Sequence, residues 1–194
     1  MRRSLLYGIL ISLTACGTAD QKAAEERKLT APLAQTANSG AFNQSFSLLL
    51  SDYYMLKDDF IAEKDSAVIN TSARHMIISS DSLALDEMKA DSSLIETARS
   101  FSLGISAELK GLTGETTMEG KRRSLQMVSD QLYDLIRTVH YNGGVIYHLY
   151  CPMAFSDQGA NWLSNSPEIR NPYIPKKMID CGSIRDTLDF RPKK

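Results

Sequence analysis

The chain has 194 residues, a formal net charge of −1 at pH 7 and 23% charged residues, values typical of one ordinary globular domain with a mildly acidic surface. This balance lacks the basic excess of nucleic-acid-binding proteins, so we exclude that class. The sequence contains no glycine-rich phosphate loop, no His-Glu-x-x-His motif and no Gly-x-Ser-x-Gly nucleophile setting, so we do not expect an enzyme.

The N-terminus has the features of a bacterial lipoprotein signal. Residues 1–3 form a short basic region that contains Arg2 and Arg3, and the apolar run 5–13 is too short to span a membrane as a mature helix. It ends in Leu13-Thr14-Ala15-Cys16, which resembles the lipobox, where cleavage precedes the cysteine and the thiol is acylated. Residues 1–15 are therefore predicted to be a signal peptide and Cys16 to carry the lipid. An ordinary secretory signal with an incidental cysteine is the alternative.

These features predict a lipid-anchored protein of the cell envelope. Gly17, rather than Asp, after the cysteine favours the outer membrane, facing the periplasm, by resemblance to known sorting rules. Residues 16–40 contain few large apolar residues, so we predict a lipidated cysteine followed by a flexible tether. Residues 41–144 are predicted to form a helical bundle and residues 145–194 a C-terminal lobe of the same domain.

Apolar residues in the range 41–144 recur at three- and four-residue steps, which predicts helices. The first helix carries the apolar series from Phe42 to Phe60, and Asp65 is a candidate N-cap for the second. A shorter helical stretch is expected near 81–89. A third helix opens at 91–93 and ends at Gly111 and Gly114, and Thr116 or Thr117 caps a fourth that stops at 142–144.

The sequence of the C-terminal lobe lacks the helical pattern of residues 41–144. Residues 145–150 fit one short strand or an extended run. Irregular structure beyond them is indicated by Pro152, Pro167, Pro172 and Pro175, with Gly159 and Gly182. Because no period-2 stretch is long enough to indicate a sheet, the predicted fold class is all-α. The expected architecture is an antiparallel four-helix bundle with an irregular lobe that contains cysteine and methionine.

The lobe concentrates soft metal ligands. Cys151 and Met153 flank a proline, Met178 and Cys181 have the spacing of one helical turn, and His148 adds an imidazole three residues before Cys151. Thiolate and thioether sulfurs are the ligands that select Cu(I) and related soft ions. The residues therefore indicate a candidate metal site formed by Cys151, Met153, Met178, Cys181 and His148.

A disulfide is the competing interpretation of the same cysteines. Once Cys16 carries lipid, Cys151 and Cys181 are the only possible pair, and the envelope is an oxidising compartment. Such a bond would stabilise the fold by about 3–4 kcal/mol through loop closure. The methionines would then fill gaps in the core. Spacing alone leaves both interpretations open, and a reducible pair is compatible with each.

The lobe also resembles a known bacterial envelope domain. The motifs are Tyr-His-Leu-Tyr-Cys-Pro-Met-Ala-Phe (147–155), Gly-Ala-Asn-Trp-Leu-Ser (159–164), Glu-Ile-Arg-Asn-Pro-Tyr (168–173) and Lys-Met-Ile-Asp-Cys-Gly (177–182). The domain that they resemble occurs in lipoproteins and is appended to periplasmic adaptor (membrane-fusion) subunits of copper- and silver-type heavy-metal efflux systems. The resemblance implies heavy-metal handling, with the four sulfurs as natural ligands.

The expected function follows from both arguments. The chain is predicted to be a non-enzymatic, lipid-anchored protein that binds Cu(I) or a related soft ion, for sequestration or for hand-over to an efflux system. Expected partners are the membrane through the lipid, and a heavy-metal efflux adaptor or a metallochaperone. The alternative is an interaction module, stapled by a Cys151–Cys181 disulfide, that docks on an efflux adaptor or another envelope protein without binding metal.

Overall fold

The computed structural model describes residues 38–192, and these contain four long helices. They are α1 (Gly40–Ile61), α2 (Ser66–Asp81), α3 (Ser92–Gly114) and α4 (Met118–Val139), with a 3-10 turn at Leu85–Glu87 between α2 and α3. The predicted signal peptide, the lipidation of Cys16 and nearly all of the tether lie outside the described residues. None of the helices within 38–192 is both long and apolar enough to cross a membrane.

Side-chain caps define where three of these helices begin. The Ser39 and Asp65 side chains accept hydrogen bonds from backbone N–H groups in the first turns of α1 and α2, and Thr117 does the same for α4. Each cap satisfies donors that have no partner within the helix. The predicted caps at Asp65 and Thr117 are therefore confirmed, and the helix predicted near 81–89 is reduced to the 3-10 turn.

The helices bury most of their predicted apolar residues, although Val68 and Leu103 are exposed. Each helix packs against the next one in sequence, and the short connections make neighbours antiparallel. Lys121 is an unpredicted member of this interior, with 1% of its surface exposed. Its Nζ donates at 2.8 Å to Asn70 Oδ1 and at 2.8 Å to the Leu112 carbonyl, so the ammonium caps the last turn of α3.

The lobe contains a sheet, so the all-α fold class is wrong. The strands are β1 (Ile146–Cys151), β2 (Ala160–Ser164) and β3 (Ser183–Leu188), all antiparallel to their neighbours, in the order β2-β1-β3. Two short helical turns lie between them, α5 (Ala154–Asp157) and α6 (Pro175–Met178). Over the described residues the molecule is therefore a mixed α and β structure, mainly helical, with a three-stranded sheet.

Burial explains why period-2 alternation did not predict the strands. Most residues of β1 and β2 are buried, because the sheet packs on the bundle. Loop residues also cover the sheet: the Tyr173 ring packs on the Trp162 ring, with centroids 6.1 Å apart. A strand that is buried on both faces reads as a continuous apolar run without alternation. In β3, a bulge opposite His148 and Leu149 interrupts the alternation of side chains between the two faces of the strand.

The sheet enters the bundle between its first and last helices. Tyr53 of α1 lies 2.7 Å from Ser129 Oγ of α4, and the same Tyr53 hydroxyl accepts a hydrogen bond of 2.9 Å from the Leu163 N–H of β2. The α4 helix also packs against β2. One buried hydroxyl therefore ties two helices to the sheet, which makes the bundle and the lobe parts of one core.

Candidate thiol site

Strand pairing brings the two cysteines together. Cys151 is the last residue of β1, and Cys181 lies two residues before Ser183, the first residue of β3. Tyr150 pairs with Ser183, so the end of β1 lies beside the start of β3. The Cys181 thiol consequently lies within hydrogen-bonding reach of the Cys151 side chain, and both are free thiols in this structure.

Gly182 permits this close approach. Its φ of +153° is one that L side chains rarely adopt. A Cβ atom added there would lie 2.7 Å from the Trp162 ring and 3.1 Å from the Tyr150 carbonyl oxygen. Only glycine therefore fits between Cys181 and β3.

The two thiols differ in their access to solvent. Cys151 is fully buried, whereas Cys181 is half-buried. Burial raises the pKa of the Cys181 thiol, the hydrogen bond and the charge of Cys151 raise it further, and a hydrogen bond with the Met153 backbone opposes them. The hydrogen bond and the charge of Cys151 both favour the protonated form of the Cys181 thiol. A metal ion that binds to this thiol must therefore displace its proton.

A buried asparagine holds the segment before Cys181. Asn171 has no exposed surface, and its Nδ2 donates to the Cys181 carbonyl at 3.1 Å while its Oδ1 accepts from the Tyr173 N–H at 2.8 Å. Its own N–H donates to the Ile179 carbonyl at 2.8 Å. Sequence reasoning missed this residue, although Asn followed by Pro172 is a turn signal that pointed to it.

The two methionines contact the thiol site through their main chains. The Met153 backbone meets the Cys181 thiol, and the Met178 carbonyl accepts a 3.1 Å hydrogen bond from the Cys181 N–H. Met153 and Met178 are 44% and 37% exposed. Of the four predicted sulfur ligands, the two thiols therefore lie close together. The two methionines are near them in the chain, but both are open to solvent.

His148 does not join this group. It lies three residues before Cys151 on the same strand, and an odd separation places two side chains on opposite faces of a sheet. The imidazole stacks on Tyr133 of α4 with ring centroids 4.1 Å apart. The spacing that would align the two residues on a helix separates them on a strand.

The turn after Met153 is left-handed. Phe155, Ser156 and Asp157 have φ values of 53°, 56° and 66°, and Gly159 has a φ of 81°. Three consecutive non-glycine residues in this region are costly, because each Cβ crowds the backbone. The turn reverses the chain between β1 and β2 and aims Phe155 toward Tyr173, with ring centroids 5.3 Å apart.

The donors that the structure shows at the thiol site are soft ligands. Within residues 38–192, no three His, Cys, Asp or Glu side chains converge on a common point. A hard ion that needs several oxygen ligands has no such cluster here. Two adjacent thiols can either hold a two-coordinate soft ion, with a thioether as a further ligand, or join as a disulfide.

Comparison of the chain with models of protein families, with curated proteins and with solved structures gives no match.

Proposed function

We propose that this chain is a non-enzymatic, lipid-anchored envelope protein that binds Cu(I), or a related soft ion, at Cys151 and Cys181. The observation that supports the proposal is the contact between the two thiols. Two thiolates neutralise a Cu(I) ion, and thiolate sulfur favours it over hard ions. Met153, whose backbone meets Cys181, is the best-placed source of a thioether. Sequestration or hand-over to an efflux system is the proposed purpose.

The half-exposed thiol suggests how an ion would arrive. Cys151 has no exposed surface, so an incoming ion must first meet Cys181 or the exposed thioethers of Met153 and Met178. Ligand exchange from an exposed thioether to a half-buried thiolate and then to a buried one moves the ion inward. The same order in reverse serves hand-over to a metallochaperone or an efflux adaptor.

A competition titration tests the proposal. Cys16→Ser leaves Cys151 and Cys181 as the only thiols, and this chain, fully reduced, is titrated with Cu(I) against a competing chelator. We expect one ion per chain. Cys181→Ser should weaken binding by about a hundredfold and Met153→Leu by about threefold to tenfold, since thiolate is the stronger ligand.

Two variants serve as controls for this titration. Met127→Leu removes a comparably exposed thioether (49%) on α4, and His148→Phe removes an imidazole on the opposite face of β1. Both should bind Cu(I) like the parent chain. A Cys151→Ser/Cys181→Ser chain that binds Cu(I) as tightly as the parent would rule out the metal proposal.

The second candidate is a disulfide-stapled interaction module that binds no metal and docks on an efflux adaptor or another envelope protein. The contact between the thiols and the full burial of Cys151 also favour this candidate. A bond there would close the loop over residues 152–180 and stabilise the fold by about 3–4 kcal/mol. A thiol count on the Cys16→Ser chain, purified from the envelope without reductant, distinguishes the two: no free thiols favours the staple, and two favour the metal site.

A further inference from the structure

An open groove lies beside the thiol site, with a volume of about 430 Å³. We call it the Met153 groove, because the Met153 side chain lines it while the Met153 backbone meets the Cys181 thiol. The N-terminal part of α4, the left-handed turn α5 and the segment leading into α6 form its walls. Its lining residues are Glu119, Arg122, Met153, Phe155, Ser156, Tyr173, Ile174 and Lys177.

The charges of the groove are not balanced. Glu119, its only acidic lining residue, is engaged by Arg123 at 2.9 Å. Neither Arg122 nor Lys177 forms an ion pair with any residue in the range 38–192. The groove therefore presents two cations whose charge no protein carboxylate in the described part of the chain neutralises by contact.

A main-chain contact holds Arg122 at the wall of the groove. Its Nε donates to the Pro172 carbonyl at 3.1 Å, which holds the guanidinium at the groove wall. Arg122 is half-buried, and burial lowers the pKa of its guanidinium, an effect that the charge of Glu63 opposes. Within residues 38–192 no hydrogen bond is seen from the two amino groups of Arg122. A partly desolvated guanidinium of this kind favours an oxyanion, which it binds through paired hydrogen bonds.

The rest of the lining is apolar or aromatic. Phe155 and Tyr173 lie with ring centroids 5.3 Å apart, and Ile174 and Met153 extend this surface. The Arg123 guanidinium covers the Phe155 ring at 4.4 Å from its centroid. The left-handed backbone that presents Phe155 is costly, and such strain is typical of ligand-binding segments.

We propose that the Met153 groove binds a carboxylate carried on an apolar group, with Arg122 and Lys177 holding the carboxylate and Phe155, Tyr173 and Ile174 contacting the apolar part. Two sources share this chemistry: a free or terminal carboxylate beside an apolar side chain, and an aspartate or glutamate next to an apolar residue inside a peptide. The proposal goes beyond metal binding and does not depend on it, because none of its ligand-holding residues is a cysteine.

Titrations followed by ¹H–¹⁵N NMR test this site on the full, metal-free Cys16→Ser chain. N-acetyl-phenylalanine supplies a terminal carboxylate, N-acetyl-aspartyl-phenylalaninamide an internal one, and N-acetyl-phenylalaninamide is the uncharged control. We expect at least one carboxylate to bind about tenfold more tightly than the uncharged amide, with amide shifts at residues 153–156, 173–174 and 176–177. Whichever carboxylate binds identifies the source.

Matched lysine variants make the test specific. Lys177→Gln should weaken carboxylate binding by about tenfold, and Arg122→Gln by at least as much. Lys176→Gln removes the same charge one residue away, outside the lining, and should stay within about twofold of the parent. Because Lys177 is exposed, its variant keeps the test valid if Arg122→Gln fails to fold. Equal binding of the amide and both carboxylates, no binding of either carboxylate, or an unchanged Lys177→Gln titration would overturn the proposal.

Discussion

The imidazole of His148 lies in a buried, charged pocket at the interface of β1 with α4. Only 7% of the residue is exposed, and neither ring nitrogen has a hydrogen-bond partner within residues 38–192. Burial lowers the pKa of this imidazole. The charges of Asp186 and Asp134 oppose that effect, and those of Arg185 and Arg137 add to it. Burial of the imidazole therefore favours its neutral form.

Replacement of His148 should change how stability depends on pH. In the unfolded chain the imidazole takes up a proton near its ordinary pKa of about 6.5, whereas the folded chain resists protonation until lower pH. The parent should therefore lose stability as the pH falls from about 7 through this window, and His148→Phe, which can still stack on Tyr133, should lose less. Urea unfolding at several pH values between about 5 and 8 measures the difference.

The control for this experiment is His75→Gln on α2. His75 is exposed and keeps its contact with water on folding, so this variant should retain the pH dependence of the parent. Parallel pH profiles for the parent and His148→Phe would contradict the expectation.

At the scale of elements, the left-handed turn α5 decides how the lobe presents its side chains. Phe155, Ser156 and Asp157 all have positive φ, and Gly159 completes the reversal before β2. A Cβ added to Gly159 would meet the Tyr150 ring, so a side chain there is excluded both by space and by its φ of 81°. The chain accepts this conformation because β1 and β2 on either side are firmly paired.

Ser156→Gly should stabilise the protein by about 0.5–1 kcal/mol. Glycine removes the clash of Cβ with the backbone, which outweighs its greater freedom in the unfolded chain. Ser156 is exposed, so little else is lost. The control is Ser100→Gly, an exposed position inside α3, which should destabilise by about 0.5–1 kcal/mol because glycine weakens a helix interior. Urea denaturation that gives both variants the same sign would contradict this account of the turn.

At the scale of the whole molecule, the buried hydroxyl of Tyr53 connects three elements. It bridges α1 to Ser129 of α4 and to the Leu163 N–H of β2. Tyr173 from the loop before α6 adds a further bond in the same region, from its hydroxyl to the Asn161 carbonyl. Bundle and lobe therefore share a polar contact inside an apolar core, where hydrogen bonds exchange little with water.

Tyr53→Phe should destabilise the whole described fold by about 1–3 kcal/mol, because the Leu163 N–H is left buried without its acceptor. Tyr54→Phe is the matched control on the neighbouring residue, since no bridge of this kind is seen for Tyr54 within residues 38–192. It should cost less than about 1 kcal/mol. Urea unfolding followed by the fluorescence of Trp162 and by far-ultraviolet circular dichroism should give one transition for both variants. Separate transitions would show that lobe and bundle unfold independently.

The sequence by itself determined the helices and most of their interior. Three- and four-residue periodicity located the apolar face of α1 from Phe42 to Phe60, and side-chain chemistry located the caps at Asp65 and Thr117. These features depend on neighbours within one or two turns of the chain, so local pattern suffices to find them. The sulfur-rich lobe was also recognisable, because ligand type is a property of composition.

Only the tertiary structure decided the sheet, the groove and the composition of the thiol site. β1 and β2 carry no clear alternation because most of their residues are buried, and the contact between Cys151 and Cys181 requires β1 to pair with a strand more than thirty residues later. The same strand geometry separates His148 from Cys151, which a helical spacing would have joined. Arg122 and Lys177 come from distant segments and meet at the Met153 groove only after the lobe has packed on α4. Long-range pairing sets all of these contacts, and no local pattern encodes a partner that lies far along the chain.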